Sequence, residues 1–268
     1  MSSLVIDYAW AHPDPAAIRA AGYIGVMRYV SHDPSKSITA PEATALHAQQ
    51  LGFGIVFEDN AQRALSGFAG GVEDGKFANA AADAIGFPKD LPIMYAVDFA
   101  VTAAQLPTVL AYLQGAATTG RQAHGYGSLA LTEYLEANGI PDDWQTCAWS
   151  NNQVDPKAAL YQRLTPTTAL KGSYDENVVL HPSNILWFPD GAAVPASVPT
   201  SATPGKKDLD MLIIKGQTDA EYLILGDGSV HIPTPPDVEL LKAAGIGTAL
   251  GLSQALVDSI VGLDKAAA

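Results

Sequence analysis

Short apolar runs alternate with amphipathic, alanine-rich stretches over the first 190 residues, and several of the runs end on a carboxylate. Leu4 to Ala9 predicts a first strand with Asp7, Tyr8 and Trp10 near its end, and Asp14-Pro15 caps a short helix through Ala21. Gly25 to Ser31 predicts a second strand, after which a helix capped by Thr39, with Pro41 in its first turn, closes at Gly52. Phe53 to Phe57 predicts a third strand that delivers Glu58 and Asp59. Ala64 to Gly71 reads as a glycine-bearing loop, and Asp74 to Ile85 as a helix stopped by Gly86 and Pro88. Ile93 to Val97 has the length and residue types of a strand buried on both faces. That strand ends on Asp98, an acid for which packing offers no reason. Thr102 is a better cap than Asp98 for the following helix, Ala103 to Thr119, so Asp98 is left as a candidate for chemistry.

Gln122 to Gly127, Trp144 to Trp149, Leu160 to Arg163 and Gly172 to Val179 complete eight predicted strands, with a helix from Leu129 to Asn138. Strands alternating with helices predict a parallel sheet joined by right-handed crossovers. Eight strands fit a (β/α)8 TIM-type barrel with trimmed late helices over residues 1–190. The competing architecture is a doubly wound open sheet, but Tyr8-Ala-Trp-Ala-His12 is unlike the glycine-rich phosphate loop that such a sheet carries after its first strand. Residues 191–207 shift to a Pro/Ser/Thr/Ala-rich linker. Residues 208–268 predict a small C-terminal α+β module. Its strand-like runs are Met211 to Ile214, Glu221 to Leu225 and Ser229 to Ile232, with a hairpin turn at Gly226-Asp-Gly228 and helices over Asp237 to Ala244 and Ser253 to Gly262.

The remaining composition narrows function by exclusion. With 48% hydrophobic and 16% charged residues the chain is globular, and a net charge of -13 argues against partners such as nucleic acid or an anionic membrane. No apolar run approaches the ~20 residues of a membrane span. No basic-then-apolar signal precedes Leu4, so the expectation is a soluble protein that, if it acts outside the cell, leaves by a route other than a classical signal peptide. The single cysteine, Cys147, rules out an internal disulfide framework and reads as a buried strand thiol. Six scattered histidines show no metal-ligand spacing, and no GxSxG elbow is present. No metal and no cofactor is therefore expected.

In a barrel the strand tips converge on one face. Asp7, Glu58, Asp98 and Asp175 would meet there, with Trp10, Tyr126, Trp149 and Tyr161 on other tips. Aromatic faces stack on sugar rings while acids bind hydroxyls or move protons, so the constellation predicts a carbohydrate cleft. Arg28 stands in an otherwise apolar strand and needs a carboxylate if buried, with Asp7 or Glu58 the expected partner.

The ordered set Ile6-Asp-Tyr8, Arg28-Tyr29, Phe57-Glu58, Ala64-Leu-Ser-Gly67 with Gly71, Asp74-Gly75, Tyr95-Ala-Val-Asp-Phe99, Tyr126-Gly127 and Tyr161-Gln162 resembles a known family. It is the glycoside-hydrolase-like domain of actinobacterial secreted proteins and of phage lysins and tail proteins. That domain is related to the family-25 lysozyme-like muramidases, barrels that cleave peptidoglycan. The resemblance covers roughly residues 4 to 190. It implies a bacterial cell-wall glycan as partner, and catalytic positions at Asp7 and Asp98, with Asp175 matching a late-strand acid. Arg28, Gln162, Trp10, Tyr126 and Trp149 join Asp175 as expected substrate contacts. The family's Asp-x-Glu motif departs here, because Ala100 stands where its Glu belongs. Glu58 is the substitute acid the sequence offers, whereas Glu176 should point away from the face of Asp175. The resulting expectation is a cell-wall glycoside hydrolase, of a phage lysin or tail-associated kind. The alternatives are a virion protein on the same barrel that grips glycan without cutting, and a hydrolase using Asp7, Glu58 and Asp98 around a hard cation. The C-terminal module, with Tyr222-Leu-Ile-Leu and Val230-His-Ile-Pro233, resembles small modules that follow such domains and would contact other virion proteins.

Overall fold

The computed structural model describes residues 3–151, 153–163, 170, 174–180 and 185–189, together with the backbone of four strands between 211 and 249. The chain divides into two compact units, Met1–Pro199 and Thr200–Ala268.

The first unit is a closed eight-stranded barrel. Its strands are β1 (Leu4–Tyr8), β2 (Gly25–Val30), β3 (Gly52–Phe57), β4 (Ile93–Ala96), β5 (Ala123–Gly127), β6 (Trp144–Thr146), β7 (Leu160–Arg163) and β8 (Asp175–Val179). Helices α1 (Pro15–Ala20), α2 (Ala40–Ala48), α3 (Gly67–Ala84), α4 (Leu106–Ala117) and α5 (Leu129–Ala137) fill the early crossovers, and among the described residues no helix follows α5. Alternation along each strand sorts the core into two layers. Val5, Met27, Val56, Met94, Trp144 and Leu160 fill the barrel, while Ile6, Val26, Ile55 and Tyr95 pack outward with Leu46, Ala78 and Leu113 of the helices.

β1 to β7 run parallel, but β8 is antiparallel to both β7 and β1, so the sheet is mixed and not the all-parallel one expected. The cause is connection length. Residues 164–174 fall short of the dozen or more that a parallel crossover needs, whereas an antiparallel return needs only a short link. Because β8 runs downward, it begins at the mouth with Asp175 and leads the chain to the barrel floor. There Ile185 and Phe188 pack beneath Met27. Gly52 and Gly54 make the room, since a Cβ at Gly52 would lie 2.6 Å from the Phe188 ring and one at Gly54 2.6 Å from the Ile185 carbonyl oxygen.

Other expectations shift locally. Residues Gly67 to Gly71, read as loop, form the first turn of α3, preceded by a 3-10 turn over Arg63–Ser66. Helix propensity argues against these glycines, but α3 and α4 approach too closely for side chains there. A Cβ on Gly71 would collide with the Tyr112 carbonyl oxygen, and one on Gly115 with that of Phe68. Gly71→Ala is therefore expected to destabilise the protein by about 1–3 kcal/mol, although an exposed helical Gly→Ala change usually stabilises. Urea denaturation reads the sign directly; an unchanged or raised midpoint would contradict the packing.

Helix α4 starts at Leu106, not Ala103, because Pro107 is tolerated only in a first turn. Thr102 forms the preceding turn instead of capping the helix, its N–H and Oγ1 both bonding Gln105 Oε1 at 2.9 Å. β6 stops at Thr146, leaving Cys147 half-buried beyond the strand instead of inside it.

In the second unit, β9 (Met211–Lys215), β10 (Glu221–Leu225), β11 (Gly228–Ile232) and β12 (Gly247–Ala249) form a sheet in the order β11-β10-β9-β12. β10 and β11 pair as the expected hairpin, Leu225 opposite Gly228. β12, parallel to β9, is a strand that the pattern of apolar residues does not predict. The predicted linker 191–207 and helices Asp237 to Ala244 and Ser253 to Gly262 lie outside the described residues. Among the described residues no helix is long and apolar enough to cross a membrane.

Candidate active site

The mouth is floored by Asp7, which points inward from the end of β1 and is 3% exposed. Its Oδ2 accepts from Asn177 Nδ2 at 2.8 Å and from Gln162 Nε2 at 3.0 Å, and Tyr29 OH reaches Oδ1 at 3.4 Å. The two amides are oriented from behind. Trp144 Nε1, which can only donate, bonds Asn177 Oδ1 at 2.7 Å, and Tyr126 OH donates to Gln162 Oε1 at 2.7 Å. Both amide NH2 groups are thereby turned onto Asp7. Burial raises the Asp7 carboxyl from 3.8 to about 7; the three hydrogen bonds oppose the rise, and Asp175, directly opposite in the β1–β8 register, adds to it. The Tyr126 phenol is itself pushed well above its ordinary value by burial and by Asp7, so it stays a donor.

Glu58 enters from the end of β3 and forms an ion pair with Lys36 Nζ at 2.9 Å. The Lys36 ammonium also lies 4.4 Å from the Tyr29 ring centroid and 5.4 Å from that of Trp10. It spends its charge on the mouth, since its side chain is 8% exposed. Asp98, just past β4, is half-buried; burial raises its carboxyl, with Lys36 opposing. Among the described residues no donor hydrogen-bonds it. Asp175, exposed, opens β8 on the same rim. Asp7, Glu58, Asp98, Tyr126, Gln162 and Asp175 thus lie around one mouth.

Arg28 does not join them. It lies between the inward Met27 and Tyr29, so it faces outward and is fully buried against α2. Its partner is Glu42 (Nε–Oε1 2.6 Å, Nη2–Oε2 3.2 Å), not Asp7 or Glu58. Asp59 and Tyr161 leave the mouth by the same alternation: Asp59 accepts from Ser31 Oγ and the His32 N–H, and Tyr161 flanks the inward Gln162. Glu176 points away as expected, taking Arg163 at 3.1 Å and Tyr23 OH at 3.1 Å. Trp10 and Trp149 are rim residues, 64% and 45% exposed. Because β4 ends at Ala96, strand alternation does not reach Ala100, which is exposed beyond it.

Two members of the site had no place in the sequence reading, Lys36 and Asn177. A lysine in a Ser/Pro/Asp loop looks like solvated surface, and an Asn inside a strand looks like packing. The one signal for Asn177 was a polar residue two positions after Asp175, hence on its face. Among the described residues no group of three or more His, Cys, Asp or Glu side chains is arranged to hold a metal ion.

A family model described as the Rv2525c-like, glycoside hydrolase-like domain matches residues 16–179. Among solved structures, the chain resembles the Mycobacterium tuberculosis Tat-secreted protein Rv2525c in complex with L-tartrate, at 22% identity and TM-score 0.64 over 70% of this chain and 100% of that one. It also resembles an uncharacterized B. stearothermophilus protein, at 18% identity and TM-score 0.52 over 69% of this chain and 100% of that one. The modular autolysin LytC of Streptococcus pneumoniae, solved with a synthetic peptidoglycan ligand, lies further off at 14% identity and TM-score 0.48, over 66% of this chain and 46% of that one. No curated protein matches the chain.

Proposed function

The chain belongs to the Rv2525c-like, glycoside hydrolase-like family, and from that premise we propose that its barrel mouth binds and hydrolyses a bacterial cell-wall glycan. The observation that carries the reading is Asp98, a carboxyl raised by burial with no donor upon it, beside the Glu58–Lys36 pair. Burial favours the protonated form of Asp98, which is the form that can give a proton to a glycosidic oxygen. This departs from the role the sequence suggests for Glu58, whose Oε1 is taken by the Lys36 ammonium. Glu58 instead supplies the second carboxylate. As Asp98 transfers its proton to the leaving oxygen, the glycosidic C–O bond breaks and positive charge builds on the sugar ring, where the Glu58 carboxylate stabilises it. Water completes the step, its oxygen joining the anomeric carbon and its proton passing to a carboxylate. Asp7 holds Gln162 and Asn177 in place beneath the sugar, and Asp175 and Tyr126 line the rim.

Purified protein incubated with peptidoglycan is expected to release soluble reducing ends, and Asp98→Asn and Glu58→Gln are each expected to lose that release. If wild type releases no more than the two variants while still sedimenting with the wall, hydrolysis is excluded. A non-cutting barrel is the second reading, supported by the resemblance in which Ala100, a methyl without a proton to give, stands where the Asp-x-Glu motif of the related muramidases carries its Glu. The setting we propose is a phage lysin or tail-associated protein, released at host lysis or carried on the virion with the C-terminal module against other virion proteins. This rests on the resemblance of the sequence to domains of such proteins.

A further inference from the structure

A groove of about 620 Å³ opens beside the mouth, between the loop after β1 and the loop after β2. Its apolar surfaces are Trp10, Pro13, Pro15 and Pro34. Most of its polar groups are spent on the loops themselves. Asp14 Oδ1 accepts the Ala16 N–H at the start of α1, and Thr39 Oγ1 accepts the Glu42 N–H at the start of α2. Ser35 Oγ donates to Asp33, Ser37 Oγ donates to backbone carbonyls, and Glu42 is held by Arg28. The groove therefore offers a ligand flat apolar faces more than free hydrogen-bonding groups.

Trp10 is the largest of those faces and it is fixed in place while exposed. Its indole N–H reaches Asp33 Oδ2 at 3.3 Å, and the Lys36 ammonium stands over its ring. An aromatic ring held open to solvent by polar contacts at its edge and face is a preformed platform, with little side-chain entropy left to lose on binding. Lys36 ties this platform to the mouth, because the same ammonium pairs with Glu58.

The geometry points to an accessory subsite in which Trp10 stacks on a further pyranose ring of the glycan chain that occupies the mouth. This rests on the glycan reading above and adds to it a dependence on chain length. A short oligosaccharide fills the mouth alone; a longer one reaches the groove and gains the stacking contact.

The test measures binding of β-1,4-linked N-acetylglucosamine oligosaccharides in the Asp98→Asn protein, so that no bond is cut. The hexasaccharide is expected to bind about tenfold more tightly than the disaccharide. Adding Trp10→Ala should abolish that advantage by weakening the hexasaccharide more than the disaccharide, while Trp10→Phe, which keeps a ring, should retain most of it. If Trp10→Ala leaves the hexasaccharide advantage intact, or weakens both ligands alike, the subsite is overturned although the mouth still binds sugar. If neither oligosaccharide binds the starting protein, the glycan reading fails and the subsite with it.

Discussion

Asp7→Asn is expected to make the protein more stable at pH 8 and to leave it nearly unchanged at pH 4. The carboxyl titrates near 3.8 when exposed and at about 7 in the fold, so between those values the folded state holds a proton that the unfolded chain has released. Stability therefore falls as pH rises through this window, because νU − νN is negative there. Above pH 7 the full cost of the buried anion is present, roughly 4 kcal/mol at about 1.36 kcal/mol per unit. Asn removes the charge and keeps an oxygen for Asn177 and Gln162, whose amide orientations are set by Trp144 and Tyr126. Denaturant titrations of both proteins at several pH values test the claim. An equal difference in stability at pH 4 and pH 8 would refute it. Glycan release, where present, should fall in the variant, since the anionic floor of the mouth is gone. A residue whose replacement stabilises the fold while lowering activity is one retained for function.

The second large effect lies behind the mouth. Glu42→Ala should destabilise the protein by about 3–5 kcal/mol, the usual cost of stripping one partner from a buried pair. Arg28 would be left fully buried, with its guanidinium on the Tyr8, Ala9 and Lys36 carbonyls and 4.4 Å from the Tyr8 ring. Those carbonyls belong to the two loops that carry Trp10 and Lys36. Loosening the pair should therefore also weaken oligosaccharide binding at a temperature where the variant is still folded. A cycle through Glu42→Ala, Arg28→Met and the double variant isolates the coupling. A double variant as unstable as the sum of the singles would show that the pair contributes nothing of its own.

The amino-acid pattern alone determined much of this protein. Eight apolar runs separated by helical stretches marked the barrel, and runs that stopped at Asp7, Glu58 and Asp98 marked its mouth. Both signals are local: strand length, periodicity and a polar break can be read within a few residues. The pattern also placed Glu176 away from Asp175, because pleat alternation needs only nearest neighbours. The same alternation governs Arg28, whose partner is Glu42 and not the Asp7 or Glu58 expected from its strand neighbours. Met27 and Tyr29 turn inward, so Arg28 had to turn toward α2 and Glu42.

Tertiary structure decided the rest. The direction of β8 depends on a link too short to cross over, and it is this reversal that carries the chain to the barrel floor. The glycines of α3 became helix because α4 presses against them, a contact that propensity does not register. Lys36 looked like loop surface until β2 and β3 brought it over Glu58. Asn177 and Gln162 acquired their orientation from Trp144 and Tyr126 on other strands. The sequence could name the acids of the mouth, because a strand's end is a property of the strand. Their proton affinities and their partners arise only when eight strands close into one wall, since burial and hydrogen bonding belong to the assembled barrel and not to any one segment.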